Sequence, residues 1–180
     1  MLKTWSGALM VLLLFGLSSL ASANTVSSGN VIIPGTFSFD FDAGVIDSLA
    51  DPSADVFWEQ FTTTTRGLNP ENGATIVNLG AVDFASLTLA QLQGLSYGSS
   101  GLDGSDLSSV LVIGDVFAVH TSDGNYAKVL VTDMLVPGQN NGLPIQWETL
   151  SAPASTPEPA SLVLLGTGLT ALALRLRRSR

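Results

Sequence analysis

Gly94-Leu95-Ser96-Tyr97-Gly98 has the G-x-S-x-G spacing of a nucleophile elbow. In such an elbow a strained strand-to-helix turn presents a serine to an imidazole base. Asp103, Asp106 or Asp115, followed by His120, the single histidine, even supplies the chain order of the corresponding triad. The flanking residues have the wrong pattern. Leu87 to Leu95 reads as a short helix, with Leu87, Leu92 and Leu95 spaced to share one apolar side, and Gly98 to Ser109 reads as a Gly/Ser/Asp loop. An elbow needs a strand before its serine and a helix after it. Ser96 is therefore read as a turn residue and His120 as a histidine at the rim of a strand. The expectation is a protein that is not an enzyme, with no catalytic residue; a serine hydrolase is kept as the enzymatic alternative.

The acidic pairs Asp40 with Asp42 and Asp103 with Asp106 raise glycoside cleavage, which needs two carboxyls at a defined separation across a sugar ring. Solvated strand and loop faces account for them more simply. For metals, one histidine and no cysteine leave no ordinary zinc site, only hard cations held by oxygen. Neither Asp40-x-Asp42-x-Gly44 nor Asp103-Gly104-Ser105-Asp106 continues into a twelve-residue EF-hand loop closed by glutamate. The expectation is no cofactor and no metal-ligating residue, with a structural calcium ion as the one exception the composition admits. Trp58, Tyr97, Tyr126 and Trp147 are the candidates for stacking on sugar rings, although aromatics of small β-domains more often fill the core. Thr62 to Thr65 raises ice binding, which would need threonines repeating along one flat face; this run is isolated.

Between residues 24 and 156 lie fourteen of the fifteen acidic residues but only two of the seven basic ones, Arg66 and Lys128, a net charge of −12. Such a surface repels phosphate backbones, which excludes a nucleic-acid partner. Without cysteine the segment must fold with no disulfide and carries no thiolate chemistry.

The elements that would position these residues are short strands. Phe37, Phe39 and Phe41 alternate with Ser38, Asp40 and Asp42, the period of a strand with one buried and one wet face. Asn69 to Gly73 is a turn cluster followed by a strand from Ala74 to Leu79, and Leu143 to Leu150, with Ile145 and Trp147 two apart, reads as a closing strand. Val116 to Thr121 and Tyr126 to Thr132 form a hairpin across Ser122-Asp123-Gly124-Asn125, where Asp-Gly suits a two-residue type I′ turn. In that register Val119 faces Lys128, His120 faces Ala127 and Ala118 faces Val129. Val116, Ala118, His120, Ala127, Val129 and Val131 then share the core face, with His120 at its rim. Short strands, frequent turns and little helix predict a mainly β protein, an antiparallel β-sandwich with a short helix, with a small closed barrel as the rival. The segments around Phe39 to Gly44, Asp55 to Gln60 and Gly114 to Val129 resemble an uncharacterised β module of bacterial secreted proteins. That likeness implies an exported β-domain and assigns no site.

Both ends carry addresses. Lys3, the apolar run Gly7 to Leu20 and the A-x-A motif with Ala21 and Ala23 have the anatomy of a secretory signal peptide over residues 1–23, which makes Asn24 the mature N-terminus. At the other end Pro157, Glu158 and Pro159 precede an apolar run from Ala160 to Leu174 and a basic cluster of Arg175, Arg177, Arg178 and Arg180. Fifteen helical residues rise only about 22 Å against a hydrocarbon core of about 30 Å, so arginines that snorkel to the cytoplasmic headgroups complete the anchor. These three parts in this order resemble the PEP-CTERM sorting signal of bacterial exported proteins. The resemblance implies an exosortase as processing partner and a helix held in the inner membrane until processing, with the ectodomain in the periplasm. The expected organisation is a signal peptide over 1–23, a β-sandwich ectodomain over 24–150, a linker over 151–156, and a sorting signal with a transmembrane helix over 157–180. The expected function is that of an exported, non-catalytic surface or extracellular-matrix protein of the cell envelope, linked to exopolysaccharide or biofilm. A carbohydrate-binding module and an ice-binding protein are the non-enzymatic alternatives, the former with extracellular polysaccharide as partner.

Overall fold

The computed structural model describes residues 23–48, 51–133 and 142–153. The signal-peptide segment through residue 22, the linker from residue 154 and the whole sorting signal lie outside the described residues. The described chain is an antiparallel β-sandwich. In one sheet β1 (Asn24–Ile33) pairs with β10 (Leu143–Ser151), then come β9 (Tyr126–Val131), β8 (Val116–His120) and β6 (Thr75–Gly80). The other sheet runs β3 (Val45–Asp47), β2 (Phe37–Asp40), β4 (Val56–Gln60), β5 (Arg66–Pro70) and β7 (Leu102–Asp103). Two separate sheets face each other in place of a closed barrel. The single α-helix among the described residues, α1 (Leu89–Gln93), is shorter than the Leu87 to Leu95 span expected. It starts at a Thr88–Gln91 capping box, which satisfies two backbone N–H groups that a first turn otherwise leaves free.

The layers are held by alternation. Phe117, Val119, Val129, Ile145 and Trp147 from one sheet meet Phe39, Val56, Trp58 and Leu68 from the other. The Phe39 ring stands edge-on to Trp147 at 5.1 Å and to Phe41 at 5.0 Å, the offset geometry that aromatic quadrupoles favour. The opposite face of the first sheet is covered by α1, whose Leu89 and Leu92 pack on Ala118 and Leu150.

Two expectations about strand faces change. Phe37 is 40% exposed, whereas Ser38 and Asp40 are buried, so the polar face of β2 is not wet. Its side chains turn toward other polar groups, Ser38 Oγ donating to Glu71 at 3.0 Å. The hairpin register also slips by one residue. His120 faces Tyr126, Val119 faces Ala127 and Ala118 faces Lys128, because the loop has three residues instead of two. Gly124 N–H donates to Thr121 C=O and Thr121 N–H to Asn125 C=O, with Gly124 at φ 84° and Asp123 not left-handed. This is a type I turn followed by a left-handed glycine; a type I′ turn would need positive φ at Asp123 as well. A one-residue slip exchanges faces: Phe117 and Val119 join Ala127, Val129 and Val131 inside, and Ala118 and His120 move to the outer face.

Candidate functional site

The end of β2, the turn after it and the residue preceding β4 place Asp40, Asp42 and Asp55 together, with one oxygen of each within 4.8 Å of the others. Asp40 Oδ1 accepts the N–H groups of Asp42 and Ala43, both at 2.8 Å, which shapes the turn. Asp55 is fully buried. Its Oδ2 accepts Phe41 N–H at 2.9 Å, and its Oδ1 accepts Ser122 N–H at 2.7 Å and Ser122 Oγ–H at 3.0 Å. One side chain thus ties the β2 turn to Ser122 in the three-residue β8–β9 loop. Asp42 Oδ1 accepts Asn125 Nδ2–H at 2.9 Å, a second link between the same loops. Its other oxygen, Oδ2, is buried with no hydrogen-bond partner, as is Asp47 Oδ2 on the neighbouring edge strand β3.

Electrostatics follow from this crowding. Burial pushes the Asp55 carboxyl up to about 6, with the charge of Asp42 adding and the donors from Ser122 and Phe41 opposing. Burial, then Asp51 and Asp40, raises Asp47 above the usual carboxylate range, whereas the backbone and hydroxyl of Ser53 hold Asp51 below it. Neither of the basic residues in the described chain answers this charge. Arg66 is paired with Asp106, and Lys128 with Glu148 at 3.0 Å.

The stacking candidates separate into two places. Trp58 is fully buried and Trp147 is 7% exposed, both in the core between the sheets and beyond the reach of a sugar ring. Tyr97 and Tyr126 are half-buried on the outer face of the first sheet. His120 packs beside both, 4.7 Å from the Tyr126 ring and 5.9 Å from that of Tyr97, and the two tyrosine rings are 6.0 Å apart. Tyr97 Oη–H donates to Leu92 C=O at 2.9 Å, and burial raises its phenol above the ordinary range. Ser96 is exposed and follows α1, with no strand leading into it, and no hydrogen bond joins it to His120. Thr62 Oγ1 accepts the N–H groups of Thr64 and Thr65; this run is a hydroxyl-closed turn without a flat threonine array. Asp103 Oδ1 caps the Ser105 N–H, and Asp106 pairs with Arg66, so the second acidic pair is a braced loop. Asp55 is the member of the acidic group that sequence reasoning missed. Its one signal is position, an aspartate immediately ahead of the apolar strand Val56–Trp58.

The decisive likeness lies at the C-terminus. A family model of the PEP-CTERM protein-sorting motif matches residues 155–178. The chain carries a PEP-CTERM sorting motif. That motif marks an exported protein of the cell envelope, with exosortase as its processing partner, and contains Pro157, Glu158 and Pro159. No curated protein matches the chain. Among solved structures, the apo HmuY analog (TFO) of Tannerella forsythia aligns at 11% identity over 74% of this chain and 100% of its own, with a TM-score of 0.40. A superposition that loose carries no argument about site or function.

Proposed function

We propose that this PEP-CTERM protein is a non-catalytic surface or matrix component, displayed by its β-sandwich and associated with extracellular polysaccharide. The observation that carries the reading is the sorting motif at residues 155–178. In this reading the leader is cleaved after Ala23, leaving Asn24, the first residue of β1, at the mature N-terminus. The apolar run from Ala160 to Leu174 holds the chain in the inner membrane with its arginines cytoplasmic. Exosortase cuts near Pro157-Glu158-Pro159 and frees the sandwich from its anchor. The core between the sheets, formed without cysteine, suits a domain that must persist outside the cell whatever the redox conditions.

Carbohydrate binding is the second reading, and one observation favours it. Tyr97, His120 and Tyr126 form a half-buried aromatic cluster on the outer face of the first sheet, His120 stacked on Tyr126 and Tyr97 tilted to both. The ring faces that this stack leaves open are apolar surfaces of the kind that pack on the apolar faces of sugars. Fractionating a host with and without its exosortase tests the first reading: the protein should move from the envelope or matrix fraction to the inner membrane when the enzyme is absent. An unchanged distribution would contradict it. Polysaccharide pull-down with wild type and Tyr126→Ala tests the second, which requires retention by the wild type and its loss in the variant.

A further inference from the structure

We propose that Asp40, Asp42 and Asp55 form a calcium site at the end of the sandwich where the β2 turn meets the β8–β9 loop. Calcium takes six to eight oxygens at about 2.3–2.6 Å, so two oxygens on opposite sides of one ion stand roughly 4.8 Å apart. The three carboxylates each present an oxygen within 4.8 Å of the others, close enough for one ion to touch all three. The independent sign is Asp42 Oδ2, a carboxylate oxygen closed off from solvent with no donor facing it. Burying such an atom unpaired is costly, and what it lacks is a positive partner. Among the described residues none is at hand, because Arg66 and Lys128 are bound to Asp106 and Glu148. Asp47 Oδ2, buried and unpartnered as well, adds negative charge behind the site through β3.

The donor set selects the ion. It is all oxygen, with no sulfur or imidazole, which disfavours zinc and copper. Its ligands come from a strand end, a turn and a loop. Calcium tolerates such irregular, partly bidentate sets, whereas magnesium requires near-octahedral geometry and keeps its water. The hydrogen bonds already made leave room for an ion: Asp40 Oδ1 and Asp55 Oδ1 each accept two donors, but Asp55 Oδ2 accepts only Phe41 N–H and Asp42 Oδ2 accepts none, and each carboxylate oxygen has two lone pairs. An ion there would hold the β2 turn against the start of β4, and the same carboxylates reach the hairpin of the other sheet through Ser122 and Asn125. The inference is independent of how the chain is sorted.

The test uses the full-length chain in detergent micelles, stripped with chelator and then titrated with calcium, magnesium or terbium. Terbium bound beside Asp42 should luminesce on tryptophan excitation, because the Trp147 ring lies against Gly44, two residues away. Calcium should quench that signal by displacement with a Kd on the order of 10⁻⁴ M. At a hundredfold excess over Kd it should also raise the thermal midpoint by roughly 5–10 °C. Asp42→Asn should weaken calcium at least tenfold while keeping the β-sheet circular dichroism of the stripped wild type, and Asp103→Asn should change nothing. The wild-type titration decides even if a variant misfolds. No terbium signal and no midpoint shift at about 10 mM calcium would overturn the proposal. An equal response to magnesium, or an Asp42→Asn chain that binds as wild type does, would overturn it too.

Discussion

Asp55→Ala is the substitution whose effect the structure specifies most fully. The side chain is fully buried and accepts Phe41 N–H and both donors of Ser122. Truncation leaves the buried Phe41 N–H without an acceptor, at about 1–3 kcal/mol, while Ser122 can turn to water. Against this stands the cost of burying a charge. In calcium-free protein the carboxyl is pushed from 3.8 to about 6, chiefly by burial. The folded state therefore holds this proton more tightly than the unfolded chain does. The stability it contributes is complete only below the unfolded value of 3.8 and is lost as pH rises through about 6. Two pH units at 1.36 kcal/mol each make that loss about 3 kcal/mol, and alanine abolishes it. Urea unfolding of both proteins in chelator, followed by tryptophan fluorescence at pH 4 and pH 8, reads the difference. Wild type should exceed Asp55→Ala by about 2.5 kcal/mol more at pH 4 than at pH 8. A gap independent of pH, or one that widens toward pH 8, would refute the argument from burial.

Gly104→Ala would place a methyl within 2.7 Å of Trp58 Cζ3 and closer still to Cη2; because Trp58 is fully buried, thermal unfolding should show a loss of about 1–3 kcal/mol. Gly73→Ala tests strain without crowding, since no atom lies within 4 Å but φ is 88°; it should cost about 1 kcal/mol in the same assay. The non-catalytic reading predicts that a serine-reactive phosphonate leaves Ser96 unlabelled, and labelling that disappears in His120→Ala would contradict it.

The strands most legible in the sequence were those with one face of large apolar residues. Leu143, Ile145 and Trp147 alternate and point inward from β10 as their spacing implies. β1 gave no such signal. Asn24 to Asn30 carries one large apolar residue, Val26, and its burial comes from its partner, as Gly29 lets the Trp147 ring of β10 lie flat across the strand. The hairpin residues were legible, but the register was not. Asp-Gly is compatible with loops of two or three residues, and the contact made by the three-residue form, Ser122 with Asp55, is sixty-seven positions away in the chain. The acidic group was half legible for the same reason. Asp40 and Asp42 are sequence neighbours, but Asp55 reaches them only because β2 and β4 pair with Phe39 opposite Val56. The burial of Ser38 and Asp40 likewise depends on loops packed over β2, which no period-two pattern records.

Intact-mass spectrometry of the protein recovered from the envelope and medium of an exosortase-bearing host tests the central claim most directly. The account predicts a mature species that begins at Asn24, ends near Pro157-Glu158-Pro159 and lacks Arg175, Arg177, Arg178 and Arg180, with the tailed precursor confined to the inner membrane. Mature molecules that all retain the arginine tail would contradict it.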